Sequence, residues 1–295
     1  MKMATYEIEH LTCYRYQQDV TGSHHAALLR PAALPDQQVE DFSLEINPPP
    51  RDLRERRDSF GNAFHLWSID APHGELTVHS TSRVTVTRAA PDLSALSLPC
   101  ADARAHLAAP STPLEVRQYR FPSLRLPHSR AVTQFAEPLF PDEAPLLAAV
   151  QRLNETIFRD FEFDADATSA ETTTDAFLKG KRGVCQDFTH LMVSALRSAG
   201  FAARYVSGYI LTHPKDGEER LIGADASHAW VSVYEPNFGW VDFDPTNNLL
   251  VGNEHITVAW GRDFSDVSMV RGAVRGGGAH ELEVAVSVIP EAEAA

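Results

Sequence analysis

The segment that most restricts this chain runs from Arg182 to Ala199, RGVCQDFTHLMVSALRSA: a glycine followed at once by an amphipathic helix with a cysteine in its first turn. Val184, Phe188, Leu191, Met192, Ala195, Leu196 and Ala199 recur at the three- and four-residue spacing of one buried helix face. Gly200 is placed as the C′ residue that closes such a helix. Gly183 is expected to let the chain turn tightly into it, and the unpaired amides of the first turn carry partial positive charge. Cys185 sits in that field. The thiolate is the nucleophilic form of cysteine, and a helix N-terminus favours the anion. A small apolar residue filling space under the helix is the alternative, and this stretch alone does not choose between the two.

Beyond the helix the period changes to two. Ala203 to Leu211 is a predicted strand, followed by a solvated loop from His213 to Glu219. In Ser227 to Tyr234, SHAWVSVY, Ala229, Val231 and Val233 share one face, with His228, Trp230, Ser232 and Tyr234 on the other. Glu235 to Gly239 forms a turn. Trp240 to Asp244, WVDFD, alternates again, with Val241 and Phe243 on one side and Trp240, Asp242 and Asp244 on the other. If the two strands pair as a hairpin, burial of the Val and Phe faces fixes the register parity. His228 and Asp244 then project from one face, near the open ends of their strands. An activated cysteine needs a base to take its proton and a group to hold that base in the right tautomer. Cys185, His228 and Asp244 supply the three, in that order. Asp242 has the same parity and competes for the carboxylate role. Taken singly, His228 could be a half-buried strand histidine, and Asp244 a turn former before Pro245.

The beginning of the chain reads as β-structure. Tyr6 to Tyr16 is a predicted strand bounded by a turn at Asp19 and Gly22, Val39 to Ile46 alternates, Asp58 to Asn62 is a turn, and Ala63 to Ile69 and Leu76 to Thr87 are further strands. An antiparallel sheet or sandwich over residues 1–100 follows. His10, His24, His25, His65, His73 and His79 fall in it without metal-ligand spacing and read as ordinary surface residues. Residues 101–127, in an Ala-, Pro-, Ser- and Leu-rich stretch, read as a linker. Residues 128–265 form the helix-and-strand core, including a helix over Ala144 to Phe158 and a short one before the glycine. Residues 266–295 are a C-terminal extension with one strand.

Charge and cysteine content remove other classes. With 26 basic and 40 acidic residues the formal charge is −14, which argues against a nucleic-acid partner, since that affinity comes mostly from neutralising phosphates. Cys13, Cys100 and Cys185 are odd in number and far apart, so neither a disulfide framework nor a structural zinc site is expected. Pairing Cys185 with His190 or His228 leaves zinc short of ligands. No metal and no cofactor is expected. MKMATYEIEH carries no apolar signal region and no segment reaches the ~20 apolar residues of a membrane span, so the expectation is a cytoplasmic protein with no membrane partner and an oligomeric state that the sequence does not disclose.

GVCQDFTHLMVSALRSAGFAARYVSGYI, followed by ADASHAWVSVYEPNFGWVDFDPTNN, resembles the catalytic core of the bacterial transglutaminase-like superfamily, whose members have a papain-like Cys-His-Asp site. The likeness covers about Phe161 to Asn248. YEIEHLTCYRY, DSFGN and the tail GRDFSDVSMVRG are similar to one bacterial branch with its own N-terminal region. The resemblance implies an α+β fold, a central helix packed on an antiparallel sheet after an all-β, sandwich-like N-terminal domain. It places the nucleophile on Cys185, the base on His228 and the orienting carboxylate on Asp244. It implies cysteine-nucleophile acyl transfer through a thioester on a peptide or protein substrate, as a protease or amidase; transglutaminase crosslinking and a catalytically silent peptide-binding module are the alternatives. Gln186, Tyr209, Trp230 and Trp240 are candidates for lining the substrate cleft, the Cys185 amide for one oxyanion donor, and Asp187 and Asp225 for orienting neighbours. The second oxyanion donor is unassigned. The calcium sites and extra β-domains of animal transglutaminases are not visible in the sequence.

Overall fold

Alternating apolar residues in the N-terminal segments pair into one antiparallel sheet. The structure, a computed structural model, describes residues 3–88, 97–213 and 227–291. The sheet contains β1 (Ala4–Ala27), β2 (Gln37–Asn47), β3 (Asp52–Arg57), β4 (Ala63–Ile69) and β5 (His73–Val86), in the order β2-β5-β1-β4-β3. β1 does not stop at Asp19 and Gly22 as expected; it continues through them with register shifts between Arg15 and Val20 and between Val20 and Gly22. Such irregularities bend a strand and increase its twist. The first half of β1 therefore pairs with β5 and the second half with β4, and the sheet curls around its long central strand.

The next segment is not a loose connection. α1 (Cys100–Ala108) buries Cys100, Ala103 and Leu107, and α2 (Leu114–Arg117) buries Val116. Short, alanine-rich and broken by proline, this region shows little helical period in sequence, yet its apolar side chains complete the core beneath α3 (Arg130–Ala136) and α4 (Leu146–Asp160). β6 (Glu162–Phe163) pairs in parallel with β7 (Arg182–Gly183) across α5 (Thr174–Gly180). α6 (Cys185–Ser198) follows, ending in a Schellman turn: Phe201 N–H donates to Leu196 C=O and Gly200, at φ +92°, to Arg197 C=O. α6 is buried from Asp187 to Arg197 on all sides rather than on one face. Its polar members are held accordingly: the Arg197 guanidinium donates to Ala203 C=O and Arg262 C=O.

α6 packs on a second antiparallel sheet, β8 (Ala203–Ile210), β9 (Ser227–Glu235), β10 (Gly239–Asp244), β11 (Leu249–Leu250) and β12 (His255–Gly261), in the order β11-β10-β9-β8-β12. The hairpin parity expected from the alternation is present, with Val241 opposite Val233 and Phe243 opposite Val231. After α7 (Phe264–Val267) the chain returns to the N-terminal sheet as two strands rather than one. β13 (Val270–Gly276) pairs with the second half of β1, and β14 (His280–Pro290) with the first half. Side chains of both sheets share one apolar cluster that includes Tyr6, Ile8, Val84, Tyr205, Ile256 and Val286. Of the six N-terminal histidines expected at the surface, His10, His25, His65 and His73 are buried in this architecture. No helix among the described residues is long and apolar enough to cross a membrane.

Candidate functional site

Cys185 is the first residue of α6, and its position is set by Asp187. The Asp187 carboxylate accepts the Val184 N–H (2.9 Å) and the Thr168 hydroxyl (2.6 Å), tying the chain into the helix start. Burial raises the Asp187 pKa above the ordinary value, against the pull of the Thr168 and Val184 hydrogen bonds. Gly183 serves this arrangement through space rather than through a glycine-only backbone angle. It is extended in β7, and a Cβ there would lie 2.5 Å from Asp187 Oδ2 and 3.0 Å from the Phe177 ring. Cys185 is half-buried, while Cys13 and Cys100 are buried.

The three residues expected to act together are brought together. His228 Nε2 lies 2.7 Å from Asp244 Oδ2, and Cys185 lines the same cleft as that ring. With Nε2 engaged by the carboxylate, Nδ1 is the nitrogen left for sulfur. Burial works against a charge on the His228 ring, but the hydrogen bond to Asp244 and the sulfur of Cys185 lift its pKa to about 10. Asp244 is fully buried; burial works against its charge too, yet the His228 and His255 rings hold it well below the usual carboxylate range. Its two oxygens divide the work. Oδ1 accepts the Thr246 and Asn247 backbone N–H groups (2.9 and 3.2 Å), the turn geometry of an Asp before proline, while Oδ2 accepts from His228, from Asn247 Nδ2 (2.7 Å) and from His255 Nε2 (3.2 Å). The turn-forming and the histidine-orienting readings of Asp244 are therefore both satisfied by one side chain. Asp242 accepts the Trp230 indole N–H (3.1 Å) instead.

His255 is the residue that sequence reasoning missed. It is buried on β12, eleven positions beyond Asp244, and no local motif marks it. His228 Nε2, His255 Nε2 and Asp244 Oδ2 lie within 4.8 Å of one another, close enough to consider a metal. Their spacing suits hydrogen bonds better. Neighbouring ligands on a tetrahedral zinc stand about 3.3 Å apart; Oδ2 is 3.2 Å from His255 Nε2 but only 2.7 Å from His228 Nε2.

Cys185 and His228 open on a cleft of about 330 Å³ whose far wall comes from the N-terminal sheet: Tyr14 on β1, Leu282 and Val284 on β14, with Met269 and Val270 at its end. Gln186 lines this cleft, and its Nε2 donates to Ala170 C=O (3.3 Å). The other three expected contacts are corrected. Tyr209 is buried with its hydroxyl on His10 Nδ1 (3.0 Å). Trp230 is fully buried beside Val206 and Val251. Trp240 packs edge-on to Tyr119 and Tyr234 under the Arg204 guanidinium, 4.3 Å from its ring centre. Tyr209 and Trp230 are aromatics of the packed interior and Trp240 is half-buried against it, the commoner fate of an aromatic on a strand. Asp225 lies outside the described residues. A larger cavity, about 530 Å³, holds neither Cys185 nor His228, and its Arg125 is paired with Glu171 at 2.8 Å.

Residues 6–85 match the bacterial transglutaminase-like N-terminal region and residues 133–245 the transglutaminase-like superfamily core. The chain is 35% identical over 291 residues to the uncharacterised protein Rv2569c of Mycobacterium tuberculosis, covering 97% of this chain and 92% of that one. A protein-glutamine gamma-glutamyltransferase of Pseudomonas aeruginosa is 31% identical over 133 residues, 44% of this chain and 20% of that protein. The crystal structure of a candidate cysteine protease from Cytophaga hutchinsonii superposes with a TM-score of 0.76 at 18% identity, covering 98% of this chain and 91% of that one, a likeness of fold. With both of its regions matched and a full-length relative at this identity, the chain belongs to the transglutaminase-like superfamily, carrying the bacterial N-terminal region.

Proposed function

We propose that this protein is a cysteine-nucleophile acyl-transfer enzyme acting on amide bonds, with hydrolysis of a peptide or isopeptide as its main reaction. The observation that carries this reading is a single imidazole held at 2.7 Å by a buried carboxylate and sharing one cleft with the cysteine at a helix N-terminus. An imidazolium and the positive end of a helix both favour a thiolate. Cys185 Sγ attacks the amide carbonyl carbon, and the carbonyl π electrons move to oxygen. Collapse of that intermediate expels the amine, which takes a proton from His228 and leaves a thioester on Cys185. Water then gives its proton to His228 as it attacks the thioester carbon, and the S–C bond breaks to return the thiolate. Asp244 keeps the imidazole oriented throughout.

A primary amine in place of water gives transamidation, and the partial likeness to a glutamine gamma-glutamyltransferase keeps that as the second reading. A silent peptide-binding module would have no need of the intact trio. Glutamine-containing peptides incubated with the protein, with and without a labelled amine, separate these by mass: chain cleavage or ammonia loss for hydrolysis, amine incorporation for transamidation. If no peptide changes mass, the binding reading stands. Because Cys13 and Cys100 are buried, faster iodoacetamide labelling of Cys185 alone proves little; the decisive comparison is His228→Ala, which is expected to slow labelling of Cys185 at least tenfold, and an unchanged rate removes the activated sulfur.

A further inference from the structure

A thioester-forming step needs two hydrogen-bond donors for the oxygen that becomes negative. The Cys185 amide, at the first position of α6, is one, since the opening amides of a helix have no acceptor within it. The side chains that share the cleft with Cys185 narrow the choice of the other. Gln186 Nε2 is engaged by Ala170 C=O, and His10 has both ring nitrogens engaged, Nδ1 with the Tyr209 hydroxyl and Nε2 with Thr12 Oγ1, each at 3.0 Å. Tyr205 on β8 is free of such a commitment and is more deeply buried than Tyr14, the other tyrosine of the cleft. Its ring is 2% exposed and fixed between His190 and Phe264, with ring centres 5.2 and 6.4 Å away. Among the described residues its hydroxyl has no hydrogen-bond partner, and it is not one of the sealed, unpartnered polar atoms of the interior, so the little of Tyr205 that is exposed opens on the cleft.

We infer that the Tyr205 hydroxyl is the second oxyanion donor, meeting the Cys185 amide across the carbonyl oxygen of the bound acyl group. Burial, and next the negative charges of Cys185 and Asp187, keep the phenol protonated far above neutrality, so it donates without losing its proton. A rigid, water-poor donor aimed where charge develops needs no reorganisation during the reaction.

This inference rests on the proposed acyl transfer, and the test separates the two. p-Nitrophenyl acetate forms a tetrahedral oxyanion when sulfur attacks it and then releases p-nitrophenolate; iodoacetamide alkylates sulfur by displacement and forms no oxyanion. Tyr205→Phe keeps the ring and removes only the hydroxyl. Its acylation rate constant is expected to fall about 10²–10³-fold, with alkylation of Cys185 within twofold of wild type and the pH profile unmoved. Should Tyr205→Phe fail to fold, 3-fluorotyrosine at position 205 retains the shape and makes the phenol a stronger donor; acylation then has to change while alkylation does not. Unchanged acylation, or acylation and alkylation falling together, overturns the assignment to Tyr205. A wild-type protein that is alkylated but never acylated removes the proposed function, and the donor's role with it.

Discussion

The residue that concentrates the most chemistry is Asp244, a fully buried carboxylate receiving five hydrogen bonds. Three of them, from two backbone amides and the Asn247 side chain, carry no formal charge, so they fix the carboxylate whatever the charge on His228. The charge-dependent part is its pairing with His228. The His228 pKa is raised from 6.5 to about 10, so its share of stability is complete below 6.5 and fades as pH climbs toward 10. The Asp244 pKa is lowered from 3.8, so its share is present above that value and is lost on acidification. The difference in melting temperature between wild type and Asp244→Asn is therefore expected to be widest from about pH 4 to 6.5 and to narrow toward pH 10. A difference that grows between pH 7 and 10 would show that the imidazole is neutral in the folded protein. Breaking one partner of such a pair costs roughly 3–5 kcal/mol, enough to measure by chemical denaturation.

At the scale of elements, α6 and the β9–β10 hairpin are the parts that place the site. Gly183→Ala tests the helix start. If Gly183 were needed only for a tight turn, alanine would be tolerated in its extended backbone; because the new Cβ would meet Asp187 Oδ2 at 2.5 Å, alanine is expected to destabilise by about 1–3 kcal/mol and to slow Cys185 labelling. Unaltered stability would sink the steric account. The same two elements explain what could be read in advance. The parity of β9 and β10 is legible because a one-residue slip would turn Val231 and Phe243 out of the core, and that parity puts His228 beside Asp244. It also misleads. Trp230 shares a face with His228, but the face becomes packed interior two residues beyond His228, so the indole is sealed against Val206 and Val251 while His228 reaches the cleft. His255 was not legible, because β12 reaches Asp244 only after pairing with β8, a long-range contact that leaves no trace in HITVAWG. Likewise the cleft's far wall depends on β14 pairing with β1, between segments at opposite ends of the sequence.

On the scale of the whole molecule, the two sheets are joined through β12, the edge strand of the second sheet. An exposed edge offers unpaired backbone groups to other chains; here amide side chains from the N-terminal sheet region cover it. Asn62 Oδ1 accepts the Trp260 N–H (3.0 Å) and its Nδ2 donates to Trp260 C=O (2.7 Å). Gln37 repeats the pattern on Thr257, with Oε1 accepting at 2.8 Å and Nε2 donating at 2.7 Å. Each amide satisfies two backbone groups, and leaving a buried polar group unpaired costs about 1–3 kcal/mol. The N-terminal sheet and the core are thus expected to unfold as one unit, with far-UV circular dichroism and tryptophan fluorescence giving coincident transitions. Asn62→Ala combined with Gln37→Ala should lower the denaturation midpoint and split the transition in two, the sheet leaving first. Because Tyr14, Leu282 and Val284 form the cleft wall on that sheet, the double variant should also lose the proposed acyl transfer under mild denaturant while Cys185 still reacts with iodoacetamide. Two separate transitions in the wild-type protein would show that β12 is covered without being coupled, and that the wall is merely adjacent to the site.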